Sequence, residues 1–143
     1  MVAIGQQGYT EAAQRIMQAA SAIKKEIENM PDLQVMGEPL WVIAFCSETL
    51  DIYRVMDCMT AKGWSLNGLH KPACLHLCVT LRHTQSGVAE RFVRDLKDAV
   101  EYVKVNPDTK GGMAPVYGMA ATLPVRSVVE DLLERYIDLL YKV

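Results

Sequence analysis

At 143 residues, 50% hydrophobic and 22% charged, the chain suits one soluble domain with a real core and excludes disorder and collagen-like repetition. Its 15 basic and 17 acidic side chains give a net charge of -2 and are scattered rather than striped, which sets nucleic-acid binding aside. No apolar run approaches the roughly 20 residues of a membrane-spanning helix, and Cys46, Cys58, Cys74 and Cys78 sit in apolar patterned segments that predict reduced thiols rather than disulfide staples.

The start, MVAIGQQGY, has no basic region and only four residues before Gly5, so it is not read as a signal peptide; its abrupt apolar opening reads as the cut end of a longer chain. From Tyr9 to Met30 apolar residues recur at Ala13, Ile16, Met17, Ala20, Ile23 and Ile27, the spacing of one helical face, and Pro31 stops the helix. Leu33 to Met36 and Trp41 to Cys46 predict two short antiparallel strands around Gly37, Glu38 and Pro39. Ile52, Val55, Met56 and Met59 mark a second amphipathic helix that ends near Lys62 with a glycine cap at Gly63.

Trp64 to Leu69 is a weaker strand candidate than Cys74 to Leu81, which is rich in Leu, Val and Thr. A third helix is expected from Gly87 to Lys104, with Ser86 as N-cap and Val88, Phe92, Leu96, Val100 and Val103 inward. After a loop from Asn106 to Gly112, Pro124 opens a last helix whose Val128, Val129, Leu132, Leu133, Tyr136, Leu139 and Leu140 cover a broad face. Helices and a short, mostly antiparallel sheet in this order predict a two-layer α+β domain with the helices on one face.

No complete active site is legible from motifs. Cys74-x-His76-x-Cys78 places three metal-ligand types on one strand face, but positions four apart lie roughly 13 Å from each other, too far for both thiolates to share one ion. The preferred reading is cysteines packed as small hydrophobes beside a hydrogen-bonded His76. His70-Lys71 resembles the dipeptide that carries the Schiff-base lysine of pyridoxal-phosphate decarboxylases, but Pro72 follows and the pair reads as an exposed basic turn. Asp51, Asp57, Glu130, Asp131 and Glu134 fall mainly on solvated helix faces, and Met56 and Met59 read as core filling. No Walker loop, dinucleotide fingerprint, nucleophile elbow or zinc-protease motif is present.

Three stretches carry a family likeness. GQQGY, opening the first helix, resembles the start of the C-terminal portion of group II pyridoxal-phosphate decarboxylases. DIYRVMDCMTAKGWSLNGL, Asp51 to Leu69, is similar to a stretch of sphingosine-1-phosphate lyases, and YGMA, Tyr117 to Ala120, resembles their C-terminal motif. The resemblance covers essentially the whole chain and implies the C-terminal small domain of a fold-type I enzyme, over residues 1–143.

Such an enzyme is a homodimer that uses pyridoxal 5′-phosphate to cleave the C2–C3 bond of a phosphorylated sphingoid base to a fatty aldehyde and phosphoethanolamine. The likeness implies a cytoplasmic protein whose Schiff-base lysine and most phosphate ligands lie in a large domain that this sequence lacks. No cofactor-binding residue is therefore assigned here, and the isolated chain is expected to be inactive. Tyr117 is the implied catalytic residue, a phenol among small residues from Gly112 to Pro124, where the backbone can approach a substrate closely. Arg82 matches no motif and receives no implied role. The alternative reading is a free-standing α+β regulatory or interaction module.

Overall fold

The computed structural model describes residues 4–107 and 126–141. Helix α1 (Gly5–Glu28) leads to strands β1 (Gln34–Val35) and β2 (Val42–Cys46), helix α2 (Ile52–Ala61), strands β3 (Asn67–Leu69) and β4 (Cys74–Cys78), a 3₁₀ turn (Leu81–Thr84), helix α3 (Val88–Val105) and helix α4 (Arg126–Leu140). The strands form one antiparallel sheet in the order β1-β2-β4-β3. Its centre is set by the pairs Ile43 with Leu77 and Phe45 with Leu75, and β3 joins through Asn67 with His76.

Alternation along the central strands explains the two layers. Ile43, Phe45, Leu75 and Leu77 are buried, whereas Val42 and Cys78 are exposed and Ala44, Cys46 and His76 are half-buried on the opposite face. Helix α1 lies against β1 and β2, α2 against β3 and β4, and α3 packs across both helices. The buried face of α3 (Phe92, Val93, Leu96, Ala99, Val100, Val103) meets Ile23 and Ile27 of α1 and Val55, Met56 and Met59 of α2 in one core. No charged or polar side chain is buried among the described residues. The expected α+β class, with helices on one face of a mostly antiparallel sheet, is the observed one.

Several boundaries differ from the sequence reading. Helix α1 begins at Gly5 rather than Tyr9, so GQQGY lies inside its first turns. The first strand shrinks to two residues, although the amide of Met36 still donates to the carbonyl of Ala44. After Cys78 one more rung survives, from the Val79 amide to the Trp41 carbonyl at 2.8 Å, before the backbone turns into 3₁₀ geometry. The N-cap of α3 is Gly87, at φ 77°, rather than Ser86, and it makes no side-chain cap hydrogen bond. A left-handed cap residue suits glycine, which has no Cβ to clash.

In helix α4 the residues of the broad apolar face are solvated: Leu133 is 52% exposed, Tyr136 53%, Leu139 70% and Leu140 60%. Pro124, its expected first residue, lies outside the described residues, as do the side chains of Val128, Val129 and Leu132. None of the helices is long and apolar enough to cross a membrane, among the described residues.

Candidate functional site

The stretch from Asp51 to Leu69 is the structural hub. Asp51 caps α2 by accepting the Tyr53 amide at 3.0 Å on its side chain, a role in the chain that solvated-face reasoning missed. At the other end, the Gly63 amide donates to the Thr60 carbonyl and the Trp64 amide to the Met59 carbonyl, with Gly63 at φ 86°. This glycine-dependent closure turns the chain back and drives Trp64 beneath the helix. Ile52, Tyr53, Val55, Met56, Met59, Trp64 and Leu66 are all buried, so most of the long motif is core rather than chemistry. The Tyr53 hydroxyl donates to the Leu69 carbonyl at 2.6 Å, tying α2 to β3.

Trp64 gathers the polar groups around it. Its Nε1–H donates to Asp95 Oδ2 at 2.8 Å, and Lys62 Nζ reaches Asp98 at 2.9 Å and Asp95 at 3.5 Å. The Trp64 hydrogen bond, helped by the nearby Lys62, holds the Asp95 carboxyl below its ordinary range despite partial desolvation. Phe92 meets the indole edge-on with centroids 5.1 Å apart, the His83 ring stands nearly parallel at 6.3 Å, and the Arg91 guanidinium lies 4.7 Å from the ring centroid. Burial pushes His83 below the usual histidine range, helped by the nearby Arg82, so its ring is neutral near pH 7.

Arg54 links this hub to the end of α3. Its guanidinium donates to the Pro107 carbonyl at 2.6 Å and also to the Asn106 carbonyl, gripping the chain where it leaves α3. Sequence reading gave Arg54 no role. Nothing local marks it, because its partners are main-chain oxygens more than fifty positions away. Tyr117 itself, the sequence-predicted catalytic residue, lies outside the described residues, and so does the rest of YGMA.

The other candidates resolve individually. Cys74, His76 and Cys78 do share the outer sheet face, yet no group of three metal-ligating side chains converges among the described residues. His76 is hydrogen-bonded to Asn67 at 3.2 Å and Cys74 is buried, as expected, whereas Cys78 is exposed and corrects the reading that both cysteines pack inside. Desolvation raises the Cys74 and Cys58 thiols above their ordinary range and keeps them protonated. His70 and Lys71 are exposed in the β3–β4 turn, and Met56 and Met59 are buried.

Comparison with known proteins places this scaffold. The chain is 45% identical over 140 residues to the sphingosine-1-phosphate lyase of Oryza sativa, covering 96% of this chain and 26% of that protein. It is 40% identical over 139 residues to sphingosine-1-phosphate lyase 1 of Rattus norvegicus, covering 96% of this chain and 24% of that protein. Across 96% of its length the chain is thus similar to sphingosine-1-phosphate lyases. Among solved structures, the sphingosine-1-phosphate lyase of Burkholderia pseudomallei superposes with a TM-score of 0.71 at 37% identity, over 87% of this chain and 28% of that one. A C-DES mutant with glycine covalently linked to its PLP cofactor superposes at 0.54 with 15% identity over 62% of this chain and 24% of that one, a likeness of fold alone. No protein-family model matches. The chain thus spans about a quarter of the length of the curated lyases it matches.

Proposed function

We propose that this chain is the C-terminal small domain of a pyridoxal-phosphate-dependent aldehyde-lyase. The enzyme would cleave the C2–C3 bond of a phosphorylated sphingoid base to a fatty aldehyde and phosphoethanolamine. The carrying observation is identity of 45% and 40% to sphingosine-1-phosphate lyases across 96% of the chain. The matching small-domain fold supports it. In this reading the domain packs against its own large domain and a second protomer, in the cytoplasm, and forms one wall of the active site.

The described residues do not form a pyridoxal site. An amine that condenses with an aldehyde has to be desolvated or otherwise depressed to be nucleophilic near neutrality, and no lysine among the described residues is buried. Lys62, Lys97 and Lys104 are each engaged with carboxylates. Hydrogen bonding to Asp98 pushes Lys62 above the usual amine range, and hydrogen bonding to Asp32 does the same to Lys104, opposite to what a nucleophile needs. In this reading the cofactor, which supplies the electron sink when bound, is held by the large domain, and the isolated chain is expected to be inactive.

Tyr117 is the residue this domain contributes to the chemistry. Carbon–carbon cleavage of this type requires a proton to leave the C3 hydroxyl and another to reach C2, and a positioned phenol can take part in either transfer. Gly118 and the neighbouring alanines leave room for the backbone beside a substrate. Arg54 supports the arrangement by anchoring the main chain at Asn106 and Pro107, just before that segment.

The test is Tyr117→Phe in the complete enzyme. The expected result is a fall in kcat of about a hundredfold or more with the cofactor absorbance unchanged. A variant that turns over at the parental rate would reduce Tyr117 to a packing ring with one hydrogen bond.

A further inference from the structure

A cavity of about 630 Å³ opens beside Trp64, and its polar lining is chemically one-sided. Arg82, Arg91, His83, Asn67, Gln85 and Thr80 line its wall, and no carboxylate does. In a chain with more acidic than basic residues, an acid-free wall holding two guanidinium groups is a local reversal of charge. Among the described residues neither arginine forms an ion pair. Asp95, the acid nearest Trp64, is taken up by the indole N–H and Lys62.

The donors are also pre-positioned. The Arg91 guanidinium lies 4.7 Å from the Trp64 ring centroid, and stacking on an indole holds a guanidinium plane while leaving its N–H edge available to an oxyanion. The Thr80 amide donates to His83 Nδ1 at 3.0 Å, so the neutral ring carries its proton on Nε2 as a donor rather than an acceptor. Arg82 sits on the 3₁₀ turn next to that histidine. Two guanidinium groups and a neutral N–H donor lining one cavity suit the several acceptor lone pairs of a phosphate.

We propose that this cavity binds a phosphate-type oxyanion, held by Arg82 and Arg91 with His83 Nε2–H as a third donor. The ligand is inorganic phosphate or the phosphate monoester of a larger molecule. The inference stands on this chain's own residues and does not depend on the lyase reading.

The experiment uses the full 143-residue chain carrying Trp41→Phe. Trp41 is 48% exposed, and its replacement leaves Trp64 as the reporting indole. Its fluorescence is titrated with sodium phosphate, with phosphoethanolamine and with sodium chloride at matched ionic strength. A saturable change with phosphate or the monoester and none with chloride is expected. Tighter binding of phosphoethanolamine identifies a monoester site, and equal or weaker binding identifies inorganic phosphate.

Arg82→Gln and Arg91→Gln should each weaken binding about tenfold, the size expected for losing one charge-assisted contact. Arg82→Gln is the primary variant because Arg82 does not touch the reporting ring. Isothermal titration calorimetry on the same variants reads affinity without fluorescence. Responses to both phosphate and phosphoethanolamine no different from chloride, or an unchanged Kd in Arg82→Gln, overturn the proposal.

Discussion

Helices α3 and α4 have comparable apolar repeats and opposite fates. In α3, Phe92, Leu96, Ala99, Val100 and Val103 are buried between α1 and α2, and Lys97 and Lys104 reach out to Glu26 and Asp32. In α4, Leu133, Tyr136, Ile137, Leu139 and Leu140 are exposed, and Arg135 pairs with Asp131 of the same helix. The difference teaches that periodicity identifies which face of a helix is apolar, not whether the surface that covers it lies in the same stretch of chain.

The largest effect should come from breaking the α3 side of this comparison. Phe92→Ala removes a fully buried ring from the junction of three helices and should cost about 3–5 kcal/mol in urea unfolding. The matched change in α4, Leu139→Ala, should stay within about 0.5 kcal/mol in the same chain. A cost above that from Leu139→Ala would show that α4 does pack here, and the contrast would fail.

Arg54→Ala probes the join between the two regions. Losing both main-chain contacts at the end of α3 should cost about 2 kcal/mol. Arg54→Lys should recover part of it, because a single ammonium can serve one carbonyl but not hold the two-pronged grip. Equal losses in both variants would mean that the planar geometry is the whole of the effect.

A smaller effect is pH-dependent. His83 is held below the free-histidine value of 6.5, so as pH falls below 6.5 the unfolded chain takes up its proton first. Stability should therefore decline from pH 6.5 towards the folded-state value. His83→Gln should flatten that slope in thermal melts recorded between pH 7.5 and about pH 5. Asp95 acts at lower pH: its depressed carboxyl stabilises the fold above 3.8 and that contribution is lost as pH falls through the folded value. The smallest change is expected for Lys97→Ala, which breaks an exposed pair with Glu26 and should leave the unfolding midpoint where it was.

Much of the fold was legible because its signals are local. The repeats of α1, α2 and α3 and the apolar runs of β2 and β4 mark most of their inward faces, although Ala13, Trp41 and Val42 are exposed. Gly63 announced the end of α2 through a backbone conformation that few other residues tolerate. The flanking strands were harder, since Gln34–Val35 and Asn67–Leu69 are defined by pairing with β2 and β4 rather than by pattern. Ser86 was a reasonable cap by chemistry, but Gly87 supplies a conformation that serine adopts poorly. Long-range polar contacts were invisible: Arg54 to Asn106, and Trp64 to Asp95, leave no spacing signature. The family stretch from Asp51 to Leu69 was read as an amphipathic helix with Met56 and Met59 as core filling, and most of it is indeed the packing of α2 and Trp64.

The sheet's outline has a bearing on how this molecule meets others. Its five-residue central strands are flanked by one strand of two residues and one of three, which offer few free amides to an incoming backbone. Strand addition from another chain would gain little purchase on either margin. Whatever covers this surface has to do so through side chains, by shape and charge, rather than by lengthening the ladder.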